Sequence, residues 1–186
     1  MRRLTLTLLA AWPLAALASE PSIDPETGLA TWQAETRGIQ VRLTQISPDQ
    51  IRGFYLARGF SPEATERYAR ECVFMTVVRN IGERPIWHNL ANWRYVSADQ
   101  SPRALRSKVA WAHLWKRQGV SESARIAFTW AQFPATQVFA PGDWNQGMTS
   151  YSVPRGGHFD LRFVWQAGGR THSGKIEQVR CADENS

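Results

Sequence analysis

The sequence predicts a mainly β fold: an immunoglobulin-like antiparallel β-sandwich, with a helical hairpin and one further helix as insertions. Three observations predict it. Short β-favouring segments recur at close spacing from Ile39 to Cys181. Gly, Pro and Asn turn residues separate them, as in a sandwich. The two cysteines, Cys72 and Cys181, stand at the start of one such segment and at the end of the last.

The chain opens with Met1-Arg2-Arg3, an apolar run from Leu4 to Leu17 broken by Thr and Pro13, and Ala16-Leu17-Ala18. A positive start, a short apolar run and small residues at the cleavage positions read as a secretory signal peptide over 1–18. The run is shorter than the about 20 residues a membrane span needs. Residues 19–186 are then one mature domain in the periplasm or outside the cell, with no transmembrane span after cleavage. The segment up to Gly28 reads as a loose lead with two prolines.

The alternation of Ile39, Val41 and Leu43 with Gln40 and Arg42 predicts a half-buried strand. Ser47-Pro48-Asp49-Gln50 then carries a cap, a proline at the first helical position and a residue that can complete a capping box. A helix over 48–58 follows, ended by Gly59, and Ser61-Pro62-Glu63 starts a second over 62–71. Cys72 to Val78 is a continuous β-favouring run, and Ile86-Trp87 and 93–96 are shorter strands. Ser101-Pro102 opens the third helix, over 102–118, ended by Gly119. Ile126, Phe128 and Trp130 alternate as a strand. Gln137 to Phe139 leads into the Pro141-Gly142-Asp143 turn, and Met148 to Val153 follows. Phe159, Leu161, Phe163 and Trp165 alternate with polar residues, and Gly168-Gly169 turns the chain into a last strand ending at Cys181.

Two cysteines in an oxidising compartment most simply form one disulfide, Cys72–Cys181. The full chain carries a formal +6, and loss of Arg2 and Arg3 with the signal leaves +4. That mild basicity favours an envelope protein, a glycan or an anionic lipid surface as partner. Export removes nucleic acid from consideration.

Two segments are candidates for binding. Trp111 and Trp115 lie at i and i+4 on the third helix among Arg103, Lys108 and Arg117. If Leu105, Val109, Ala112 and Trp115 form the buried stripe, Trp111 is left partly exposed beside positive charge, as a contact surface requires. The turn 141–148 places Trp144 beside Asn145, an aromatic face with a fixed amide of the kind sugar and peptide sites use. A metal site has weaker support. His88, Met148 and His158 are ligand types that suit copper, but no two histidines have short ligand spacing, so they serve only if the fold brings them together. No nucleophile elbow, phosphate loop or acid pair points to catalysis. His158, Asp160 and Arg162 on one strand face read as a solvated surface.

The functional expectation is an exported, non-enzymatic binding or accessory protein of the cell envelope, without a cofactor. The alternative is a periplasmic copper-binding protein.

Overall fold

A computed structural model describes residues 20–98 and 101–184. The expected signal peptide therefore lies outside the described residues. Strand makes up 43% of what is described and helix 25%, so the chain is mainly β.

The first sheet is antiparallel, in the order β1 (Ser22–Ile23), β2 (Ala30–Thr36), β3 (Ile39–Gln45), β4 (Cys72–Asn80) and β9 (Trp144–Tyr151). The second is built on β10 (His158–Ala167). On one side β10 pairs along its length with β11 (Arg170–Arg180). On the other it pairs with β5 (Ile86–Asn89) near its end and with β6 (Arg94–Ser97) near its start. A single 3-10 turn, Leu90–Asn92, separates β5 from β6. Outside them lie β8 (Thr136–Phe139), on β5, and β7 (Pro102–Ala104), on β6.

Strand alternation explains the core between the sheets. Ile39, Val41 and Leu43 of β3 point inward, and so do Phe159, Leu161, Phe163 and Trp165 of β10. β4 is buried on both faces. Cys72, Phe74 and Val78 join this core, while Val73, on the opposite face, joins a second one. Burial on both faces explains why the sequence of β4 is continuously apolar rather than alternating.

The second core lies under four helices: α1 (Pro48–Leu56), α2 (Pro62–Ala69), α3 (Lys108–Arg117) and α4 (Glu122–Ala131). Each begins at a serine, Ser47, Ser61, Ser107 or Ser121, whose side chain accepts a backbone N–H three residues on. α1 has the full capping box: Gln50 N–H donates to Ser47 Oγ and Ser47 N–H to Gln50 Oε1. Tyr55, Tyr68, Trp111, Trp115 and Phe128 pack edge to face and stacked over Val73 and Met148. The order of layers is therefore sheet, sheet, helices.

The disulfide joins Cys72 to Cys181 with 5.3 Å between Cα atoms, inside the span such a bond requires. It ties the start of β4 in the first sheet to the end of β11 in the second. Among the described residues no helix is long and apolar enough to cross a membrane.

Three expectations are corrected. The third helix does not cover 102–118: Pro102–Ala104 is an edge strand, where a missing N–H is tolerated, and the true cap is Ser107, which accepts from Ala110 N–H at 3.1 Å. Residues 126–130 are not a strand. Ser121 caps a helix there, and Ala124 and Phe128, at i and i+4, reach the second core. The lead up to Gly28 is not loose throughout, because Ser22 and Ile23 pair antiparallel with Thr31 and Ala30 of β2.

Candidate functional site

Trp111 is not exposed. Both Trp111 and Trp115 are fully buried, their rings stacked 4.9 Å apart. Trp111 Nε1 donates to Ser150 Oγ at 3.1 Å, and the Arg106 guanidinium covers its ring at 4.5 Å. The expected stripe gives way because two indoles bury far more apolar area than Val109 and Ala112 do. The helix rotates to bury them, leaving Val109 59% exposed and Leu105 half-buried ahead of the helix. Of the predicted basic companions, Arg103 is exposed on β7, Lys108 is half-buried at the start of α3, and Arg117 is exposed in its last turn.

That rotation turns Val109, His113, Lys116 and Arg117 outward. α4 does the same with Ile126 and Trp130, one helical turn apart and opposite the buried Ala124 and Phe128. Trp130 is 85% exposed, the largest exposure among the large apolar side chains described. An exposed indole therefore exists, but on α4. In sequence, the Ile126-Phe128-Trp130 alternation hid it by mimicking a strand, although the cap at Ser121 was readable.

Trp144 opens β9 and is 58% exposed, directly across from Arg79. Asn145 is less available. Its amide N–H donates to Gln137 Oε1 at 2.7 Å and its Oδ1 accepts from Gln146 N–H at 2.8 Å, so Asn145 ties the start of β9 to β8 in the other sheet. Trp144 is the aromatic that this turn presents to solvent.

The three metal-ligand types do not meet. His88 is paired with Trp165 near the end of β10, whereas His158 begins that strand. Seven residues of strand separate those positions by about 23 Å. Met148 lies in the second core, where its Sδ accepts the Tyr55 hydroxyl at 3.3 Å. Among the described residues no group of three or more His, Cys, Asp or Glu side chains is gathered for a metal.

His88 is buried among Trp93, Phe133 and Phe139, with no hydrogen-bond partner for either ring nitrogen. Burial pushes its pKa down to about 4, so it is neutral at ordinary pH. Burial also raises the hydroxyl pKa values of Tyr55, Tyr68 and Tyr151. Gln132 satisfies two of these phenols: its Oε1 accepts from Tyr68 at 3.2 Å, and its amide N–H donates to Tyr55 at 3.1 Å.

No family model matches the chain, and no curated protein matches it. Among solved structures, that of the yjhA protein from Bacillus subtilis is similar over 73% of this chain and 71% of that one. The identity is 11% and the TM-score 0.33, too low to carry an argument about either fold or function.

Proposed function

We propose that this chain is an exported, non-enzymatic accessory domain of the cell envelope that docks on an anionic lipid surface through the outward side of α3 and α4. The observation that carries the reading is Trp130, 85% exposed, with Ile126 one turn before it. Lys116 and Arg117 face outward on the neighbouring helix, and Glu122 is the acid on the outward side of α4. An indole that prefers the headgroup level, on a helix pair that also carries outward cations, matches an anionic membrane face. The disulfide supports a location outside the cytoplasm, and so does the Arg2-Arg3, apolar-run and Ala16-Leu17-Ala18 order. An immunoglobulin-like topology belongs to the same proposal, supported by two antiparallel sheets around one core.

The test is co-sedimentation of the mature protein with phosphatidylglycerol or phosphatidylcholine vesicles. Binding is expected on the first and not on the second. Trp130→Ala should weaken it about tenfold or more, since withdrawing such a side chain from water is worth about 1.5–3 kcal/mol. The melting temperature should move by no more than a few degrees, because the side chain lies outside both cores. Equal binding to both vesicles, or a variant that binds as wild type, overturns the reading.

A further inference from the structure

Three turns from both sheets meet around a cleft of ≈ 590 Å³ lined by Arg37, Arg84, Arg170 and His172. Arg37 sits in the β2–β3 turn, Arg84 in the segment after β4, and Arg170 at the start of β11. None of the three guanidinium groups has an ion-pair or hydrogen-bond partner among the described residues. By contrast Arg52 is bonded to Asp49, Glu66 and Glu184, and Arg106 is paired with Glu71. Glu83 is the one carboxylate lining the cleft, and it pairs with none of the arginines.

The turns are fixed in place. Ile81 N–H donates to Gly38 O at 2.9 Å. Gly38 has φ +84°, and a Cβ there would come within 3.2 Å of Gly82 Cα, so only glycine lets the two turns touch. Asn80 is fully buried. Its amide N–H donates to Arg84 O at 2.8 Å and Phe139 O at 3.0 Å, and its Oδ1 accepts from Gly82 N–H at 3.0 Å. Arg84 Nη1 lies 2.7 Å from where a Cβ on Gly168 would stand, so its guanidinium reaches from the first sheet's loop to the second sheet's hairpin turn. The His172 ring is held against Trp165, with centroids 5.5 Å apart.

We infer that this cleft is a binding site for a phosphate-bearing ligand. Three cations gathered with a single unpaired carboxylate repel one another, and an oxyanion between them removes that cost. Guanidinium forks match the oxygens of phosphate, and a cleft lined by arginines from three separate turns suits a group with three acceptor oxygens. The volume falls in the range of small-molecule sites and exceeds one bare phosphate, so the phosphate is one end of a larger molecule. It belongs either to a soluble phosphorylated compound or to a lipid headgroup. The cleft shares no residue with the α3–α4 surface, so either assignment can fail without the other.

Calorimetry with inorganic pyrophosphate tests the site. Saturable binding is expected for the wild type, weakened at least tenfold in an Arg84→Gln/Arg170→Gln double variant of unchanged melting temperature. Arg42→Gln/Arg162→Gln, which removes the same charge from exposed strand positions, should bind as wild type. Absence of saturable binding overturns the inference. So does equal binding by the cleft variant, or an equal loss in the Arg42/Arg162 control, which would make the effect one of net charge. Phosphatidylglycerol vesicles identify the source. If pyrophosphate competes with them and the cleft variant binds them less tightly, the ligand is a headgroup; if vesicle binding is indifferent to both, it is a soluble phosphate compound.

Discussion

An imidazole buried without a partner costs free energy, and the cost grows with acidity. His88 is such a group, enclosed by Trp93, Phe133 and Phe139 with no charged neighbour among these rings. Its pKa falls from 6.5 to about 4 through desolvation. The unfolded chain therefore takes a proton below pH 6.5 that the native protein refuses until about pH 4. The His88 contribution is intact above pH 6.5 and is lost as pH falls through that window, at about 1.4 kcal/mol per pH unit. Urea denaturation from pH 7 to 4 should show this slope in the wild type and a shallower one in His88→Phe. Identical slopes would show that His88 is not the group titrating. Some of this was legible, since His88 stands two residues after Ile86 and so shares its inward face in β5. The burial of Trp111 was not. Helical spacing names two competing stripes, and only the aromatic cluster around Tyr68 and Phe128 decides between them.

Elements were legible where a local signal was unambiguous. The capping box at Ser47, the proline-started α2 and the alternation of β3 and β10 each fixed an element from its own residues. α4 and β7 were not, because a three-residue apolar alternation and a Ser-Pro pair each fit two elements. Gly147 of β9 depends on something no local pattern carries. The chain at Gln132 and Phe133 crosses directly over it: Phe133 N–H donates to Met148 O at 3.0 Å, and a Cβ on Gly147 would stand 2.5 Å from Phe133 N. The obstacle is backbone, which yields less readily than a flexible side chain. Gly147→Ala should therefore destabilise the domain by about 1–3 kcal/mol. Gly53→Ala should do the reverse. Gly53 lies inside α1 with nothing within 4 Å of a new Cβ, so alanine should add up to about 1 kcal/mol through helix propensity. Paired urea titrations measure both, and the contrast fails if the two shifts share a sign.

At the scale of the molecule, the sequence identified a β-rich domain and its disulfide but not the order of layers. Placing the helices over one sheet requires knowing that β4 is buried on both faces. A continuous apolar run allows that but does not say what covers each side. The arginine cleft was invisible for a related reason. Arg37, Arg84 and Arg170 are far apart in sequence and meet only because turns from both sheets converge. The disulfide was legible because two cysteines allow one pairing. By the chain-entropy estimate it contributes about 4–5 kcal/mol through constraint of the unfolded chain.

The same bond makes the chain a ring with two tails, and that decides how the protein responds to tension. Cys72 and Cys181 are 109 residues apart, so a force applied between the termini passes across the sulfur–sulfur link and bypasses β5 to β11, α3 and α4. At most the other 78 of the 186 residues can be drawn out, about 270 Å of contour at full extension. With a reducing agent present the whole chain is free to lengthen, to about 650 Å. Single-molecule pulling on the full chain tethered at its ends should record the shorter extension, and the longer one only after reduction. Drawing out β2 and β3 would strip β4 of its partner on one side while the ring stays closed. A domain mounted in an envelope by its termini could then give way at one end and keep the covalently enclosed remainder available to reassemble.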